Sequence, residues 1–166
     1  MNSLRPILAE EVPAPSKKSN YPEPYASLMS GRIKRKLGDL FHLKNFGVNL
    51  TTLSPGSMSA LKHQHSQQDE FVYILSGTPT LVYGSREYVM KPGECVGFKA
   101  GEGSTHHLLN CSENPVTYLE IGDRTSGDDV VYPDDDICAK SEADGTWAFT
   151  HKDGTPALGS GLITNT

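Results

Sequence analysis

From residue 32 to residue 123 short apolar runs are punctuated by turn-forming residues, and in several runs apolar and polar side chains alternate one by one. In RIKRKL (32–37) Ile33, Arg35 and Leu37 fall on one side of an extended chain and Arg32, Lys34 and Lys36 on the other. Such a segment reads as an edge strand guarded by charge against unwanted pairing, or as a strand that presents cations to an anion such as phosphate. FGVNLTTLSPG (46–56), SMSALKHQH (57–65) and EFVYILSG (70–77) follow as strand segments. PTLVYGSREYVM (79–90) predicts a hairpin about Gly84-Ser85. KPGECVGFK (91–99) opens on a Pro-Gly turn, and THHLLNCS (105–112) and VTYLEIGD (116–123) complete the series. Turn signals recur about every 8 to 12 residues and no long stretch carries a helical period, which predicts an all-β sandwich or barrel.

The two ends differ from this centre. Residues 1–25, containing EEVPAPSKKSNYPEPY, predict an extended arm without a core of its own, and Pro22 and Pro24 favour extended backbone there. The tail begins with TSGDDVVYPDDDICAKSEADG, acidic and turn-rich, and continues with WAFTHKDG, one short strand ending in an Asp-Gly turn. The expected organisation is one domain: 1–45 an arm with the first strand, 46–123 the barrel, and 124–166 an acidic loop and a C-terminal strand packed on the barrel. Asp134, Asp135 and Asp136 lack the spaced oxygens and the glycine of a calcium-binding loop and read as a solvated turn.

Composition narrows the function classes. A chain of 166 residues suits one domain and can bury roughly 70% of its unfolded surface. A net charge of −5 argues against nucleic acid or an anionic membrane as partner. Three cysteines, Cys95, Cys111 and Cys138, form no CxxC pair and read as reduced thiols. The first residues show no signal-peptide apolar core, and no run approaches a membrane span. A soluble cytoplasmic protein is expected.

The candidate chemistry lies in KHQHSQQDEF (62–71). Residues two apart on a strand face the same way, so His63 and His65 point together. If the strand that begins at Glu70 pairs antiparallel with theirs, Glu70 returns to their level, and Val72 shares its face. Four of the six histidines lie at 63/65 and 106/107. One more nitrogen from the later pair completes three imidazoles and one carboxylate, a set that suits Mn, Fe, Ni, Cu or Zn and lacks the oxygens calcium requires. The alternative partners of Glu70, Lys62 or Arg86, would form a surface pair of little worth. His42 and His151 read as surface or capping residues.

These residues resemble the two motifs of the cupin superfamily, G-x5-HxH-x3,4-E-x6-G and G-x5-P-x-G-x2-H-x3-N. Gly56 precedes His63-Gln64-His65, with six residues between rather than five; Glu70 and Gly77 follow at the family's spacing. Gly93 opens the second motif; Lys99 stands in place of its proline, and four residues rather than two separate Gly101 from His106. The H-x3-N ending, His106 to Asn110, selects His106, with His107 as the alternative. The resemblance covers about residues 46–123, and the arm and tail are similar to those of stand-alone, single-barrel bacterial cupins. It implies a double-stranded β-helix, or jelly-roll barrel, holding a divalent transition metal (Mn, Fe, Ni or Zn) through His63, His65, Glu70 and His106, with Asn110, Val72 and Leu108 lining the pocket.

The function implied is metal-dependent action on a small polar metabolite, either isomerase or lyase chemistry on a sugar or sugar phosphate, or dioxygenation. Arg32, Lys34 and Arg35 favour sugar phosphates. A non-enzymatic binding or sensing cupin is the alternative, and a metal-free barrel with acid–base histidines a third. No catalytic-triad, P-loop or Rossmann motif supports other chemistries. Phe71, Tyr73 and Leu75 form an apolar outer face on a strand whose inner face is also apolar. A homodimer with strands or arms exchanged across the interface is therefore expected.

Overall fold

The computed structural model describes residues 5–16 and 19–157. The parts of the expected arm and tail at 1–4, 17–18 and 158–166 lie outside the described residues. Twelve strands are found among those described: β1 (Arg32–Lys36), β2 (Phe46–Leu53), β3 (Gln64–His65), β4 (Glu70–Ser76), β5 (Thr80–Tyr83), β6 (Arg86–Val89), β7 (Cys95–Phe98), β8 (His106–Leu109), β9 (Val116–Asp123), β10 (Asp129–Val131), β11 (Cys138–Ser141) and β12 (Trp147–Thr150). Every pairing between them is antiparallel.

One layer is the sheet β1-β2-β9-β4-β7. The other combines β12-β11-β10-β3 with β6-β5-β8. The two parts of this second layer meet at antiparallel bridges between His63 and His106 and between Met58 and Leu109. Between the layers lies a core of Leu53, Val72, Ile74, Leu81, Met90, Leu108, Val116 and Tyr118. Alternation explains it: in β4 Val72 and Ile74 point inward and are buried, while Phe71, Tyr73 and Leu75 point outward and are 37–43% exposed. Each such aliphatic side chain contributes about 1.5–3 kcal/mol by leaving water. This is a double-stranded β-helix, the all-β barrel expected from the turn spacing.

The hairpin at Gly84-Ser85 forms in the expected register, with Tyr83 opposite Arg86. Other expectations need correction. Leu37 does not continue β1; it begins a helical turn, Leu37–Leu40. SMSALKHQH is regular strand only at Gln64–His65, because this segment switches partners, meeting β8 through single bridges and then β10. The tail carries three strands where one was expected. In β10 and β11 only Val130, Ala139 and Ser141 are buried, one or two to a strand, too few for alternation to show.

The arm has no core of its own and packs on a second cluster. Met29 is fully buried with Leu61, Val130, Tyr132, Ile137 and Ala139, and Tyr21, Tyr25, Trp147 and Phe149 pack against them. Tyr21 stands edge-on to Tyr132 and Phe149 with ring centres 5.7 and 5.8 Å away. Arm and tail thus close the barrel end beside β3.

Candidate metal centre

The inner face of the five-stranded sheet is set by register. Gly47, Gly122, Glu70 and Phe98 stand in one row across β2, β9, β4 and β7. The next row is Lys36, Asn49, Glu120 and Val72. Two glycines beside Glu70 leave the floor there without side chains. A carbon added at Gly122 would meet only ordinary contacts with Asp69 and Glu70. The opposite wall brings His63 and His106 together at their bridge and places His65 two residues on, opposite Val130.

Three ring nitrogens converge on one carboxylate oxygen. Glu70 Oε2 lies 3.0 Å from His106 Nε2, 3.3 Å from His63 Nε2 and 3.6 Å from His65 Nε2. Ligand atoms of His63, Glu70 and His106 all fall within 4.8 Å of one another; His65 flanks that group. The other nitrogens of two rings are committed. His63 Nδ1 donates to the Leu61 carbonyl at 2.8 Å, and His65 Nδ1 donates to Asp128 at 2.5 Å. A carbonyl only accepts, so neutral His63 carries its proton on Nδ1 and turns the Nε2 lone pair toward Glu70. Lone pairs facing a carboxylate are repulsive until a cation stands between them. A shared proton does this with one ring; a metal ion does it with all. The donor set therefore fits a divalent transition ion.

Charge follows from these contacts. Burial opposes ionisation of Glu70, but the close contacts of His106 and His63 outweigh it and hold the carboxyl well below the usual range. Burial holds His106 below the ordinary imidazole value, the Glu70 contact offsetting it only in part. Burial also works to lower His65, yet Asp128 and the charge of Glu70 prevail and raise it. Phe98 stacks flat on His106, ring centres 3.5 Å apart, and Tyr132 stacks on His63 at 6.0 Å.

The expected strand pairing that was to return Glu70 to the histidines does not occur. β4 pairs with β7 and β9, and Glu70 reaches the histidines across the barrel interior. Of the two competing histidines, His106 points inward to Glu70, whereas His107 Nδ1 donates to the Ala60 carbonyl at 3.1 Å. Val72 and Leu108 line the larger cavity. Asn110 lines neither cavity described here; its amide donates to the Leu53 and Asn114 carbonyls and accepts from Ser112, which ties down a loop.

The centre is bordered by two cavities, both touching His65, Glu70 and His106. One of about 210 Å³ lies under the Lys99–Ser104 loop. The other, of about 530 Å³, has Tyr21, Tyr132, Trp147 and Phe149 on one wall and Arg32, Lys34, Lys36 and Glu120 on another. The charged face of β1 thus points inward, and Arg35 belongs to the outer face. Lys34 Nζ is 2.5 Å from Glu120 Oε1, which also accepts from Asn49 at 3.2 Å.

Sequence reasoning missed Asp128, which is fully buried. Besides His65 it accepts hydrogen bonds from Ser66 Oγ and the backbone N–H of Gln67 and Gln68. One aspartate in a run of acidic residues carries no spacing signal. Trp147, the chain's single tryptophan, stands edge-on to His65 at 6.1 Å.

A two-layered β-helix with histidines from one wall facing a carboxylate from the other defines a class of small barrels whose donor set could hold one ion at the mouth of a cavity. The chain belongs to the cupin superfamily. Residues 49–122 match the model of the cupin domain. A sugar phosphate isomerase of the cupin superfamily from Silicibacter pomeroyi is 42% identical, with a TM-score of 0.79, over 84% of this chain and 88% of that one. A candidate sugar phosphate isomerase from Acidithiobacillus ferrooxidans is 31% identical, with a TM-score of 0.68, over 76% of this chain and 80% of that one. The polyketide cyclase RemF from Streptomyces resistomycificus shares the fold at 19% identity, with a TM-score of 0.59, over 72% and 79% of the two chains. No curated protein sequence matches the chain.

Proposed function

We propose that this protein is a metal-dependent cupin enzyme that isomerises a small anionic metabolite of the sugar-phosphate class. The carrying observation is the convergence of three imidazole nitrogens on one oxygen of Glu70, at the wall of a cavity of about 530 Å³. That volume lies within the usual range for small-molecule sites. His63, His65, Glu70 and His106 would hold a divalent transition ion such as Mn, Fe, Ni or Zn. When bound, the ion would polarise a substrate oxygen and stabilise charge developing on it.

The chain's own groups supply the rest. Lys36, half-exposed in the cavity, and Arg124 at its rim both pair with Asp39, Lys36 loosely at 3.9 Å, and are placed to receive a phosphate in exchange for that carboxylate. Glu120 pairs with Lys34, accepts a hydrogen bond from Asn49 and stands on the strand beside Glu70. It is suited to take a proton from the hydroxyl-bearing carbon next to a carbonyl and return it to the carbonyl carbon, while the hydroxyl proton passes to the former carbonyl oxygen, so the isomerisation needs no other reactant. Tyr132, Trp147 and Phe98 surround the histidines with apolar surface and exclude water. The names of the two relatives above 30% identity support the substrate class.

Elemental analysis of protein purified without a chelating tag is expected to find one transition ion per chain. The paired substitution His63→Ala and Glu70→Gln is expected to remove it; full occupancy in that variant would refute the ligand assignment. Thermal-shift screening of sugar phosphates, followed by turnover assays on hits, tests the reaction, and stabilisation without turnover would mean a binding or sensing module. Replacing Lys36 by Ala should raise KM for a phosphorylated sugar by about tenfold, the worth of one hydrogen bond to a charged group, and leave binding of the unphosphorylated sugar unchanged.

We also propose a homodimer formed through the outer face of the five-stranded sheet. Phe71 stands beside Ile121 and Tyr73 beside Leu119 on that face, with Ile33 exposed near its far edge. Location in the cytoplasm is supported by three free cysteines, two of them exposed. No helix among the described residues is long and apolar enough to cross a membrane.

A further inference from the structure

Residues 124–150 lie beyond the part of the chain that matches the cupin domain, yet they touch the candidate metal centre. Strand β10 pairs with β3 directly at His65, with Val130 opposite it. One residue before β10, Asp128 is fully buried. Its Oδ2 receives the His65 Nδ1 proton at 2.5 Å. Its Oδ1 receives Ser66 Oγ at 3.0 Å and the Gln67 N–H at 2.7 Å. Its own N–H donates to Ser141 Oγ on β11 at 2.9 Å. The carboxylate thus joins the His65 ring, the backbone just after it and the tail sheet.

A buried carboxylate has alternatives that would be purely structural. Hydrogen bonds from Ser66, Gln67 and Gln68 alone would cap the bend before β4. The second oxygen is not used for that purpose; it faces the one ring nitrogen whose protonation decides what the opposite nitrogen can do. With Nδ1 donating to Asp128, a neutral His65 must leave Nε2 as a lone-pair donor, and that atom faces Glu70 at 3.6 Å. Trp147 on β12 meets the same ring edge-on.

We propose that Asp128 is the positioning residue of the metal centre: it fixes the orientation and tautomer of His65 so that Nε2 is offered to the ion. The C-terminal sheet is then a functional wall of the site and not packing alone. The inference rests on the metal-centre reading given above. It adds that the fourth corner of the site is set by residues outside the segment that matches the family model.

The test has two arms. In the first, long-range proton–nitrogen NMR of the metal-free protein reads the histidine tautomers once the rings are neutral. His65 is expected to carry its proton on Nδ1; a His65 protonated on Nε2 alone would overturn the proposal. In the second, Ni(II) binding is measured by calorimetry for wild type, Asp128→Asn and Ser66→Ala, with folding checked by circular dichroism. Loss of such an orienting partner lowers affinity about 10- to 100-fold, and that is expected for Asp128→Asn. Ser66→Ala removes a hydrogen bond to the same carboxylate, leaves the His65 contact and should change affinity less than about threefold on the same scale. Equal losses in the two variants, or unchanged affinity in Asp128→Asn, would overturn the proposal. If Asp128→Asn does not fold, the tautomer measurement on wild type decides. Wild-type protein that binds no ion would refute the metal reading, while the NMR arm would still report whether His65 holds the Nδ1-protonated tautomer that the Asp128 contact requires.

Discussion

Glu70 and Asp128 are both buried carboxylates in contact with histidine, and their settings differ. Glu70 faces three ring nitrogens, while Asp128 faces one ring and two backbone N–H groups. Burial opposes the charge of Asp128, but the His65 hydrogen bond and the Gln67 N–H win and hold its carboxyl below the ordinary value. A folded-state value below the unfolded one makes the unfolded chain the better proton binder. The stabilisation is therefore present above the unfolded value, near 3.9, and disappears as pH falls through the folded value. In urea titrations of the metal-free protein, Asp128→Asn should cost about 1–3 kcal/mol at pH 7. The gap from wild type should close as pH drops below about 4; a constant gap down to pH 3 would contradict this account. At this scale the sequence was legible wherever residues recur at short spacing. His63, His65 and Glu70 lie within eight positions and His106 sits at a motif spacing. Asp128 was not legible, because its partner is more than sixty positions away.

Strand β4 shows where legibility ends among elements. Its limits and its two faces follow from alternation, but its partners do not, because pairing depends on which distant segment offers a matching edge. The polar bend before Glu70 suggested a hairpin; instead the chain crosses to the other layer. The end of β4 is set by Gly77, whose φ is +77° and whose added Cβ would sit 2.8 Å from the Pro115 carbonyl oxygen and Val116 Cγ2. Gly56 has a similar φ of +75° with nothing within 4 Å of the same position. Both positions carry backbone strain when substituted by Ala, of about 1–3 kcal/mol. Only Gly77→Ala adds steric overlap, for about 1–3 kcal/mol more. Chemical denaturation should rank Gly77→Ala clearly below Gly56→Ala, and equal losses would show that the close approach of β9 at Gly77 relaxes freely.

In the whole molecule, the inner surface is divided between a core and a site, while the outer surface of the five-stranded sheet is left apolar. Arm and tail cover the barrel end beside β3 through the second core cluster, and among the described residues Phe71, Tyr73 and Leu75 on β4's outer face remain 37–43% exposed. The described part of the arm packs on its own barrel, through Tyr21 and Met29, which favours a dimer of sheet faces over one of exchanged arms. A stable interface buries roughly 800 Å² on each partner, and aromatic residues at its centre carry most of the energy. Tyr73, flanked by Leu119 and Cys95 in the neighbouring strands, is the natural centre. Light scattering at micromolar concentration should give twice the chain mass for wild type and the single mass for Tyr73→Glu. Because Tyr73 points away from Glu70 and the histidines, the variant should keep its full complement of metal. A monomeric wild type would refute the dimer, and a dimeric Tyr73→Glu would move the interface to another face. Loss of metal together with dissociation would mean that the partner subunit holds the site closed, a coupling that nothing in the single chain requires, since both walls of the centre come from one polypeptide.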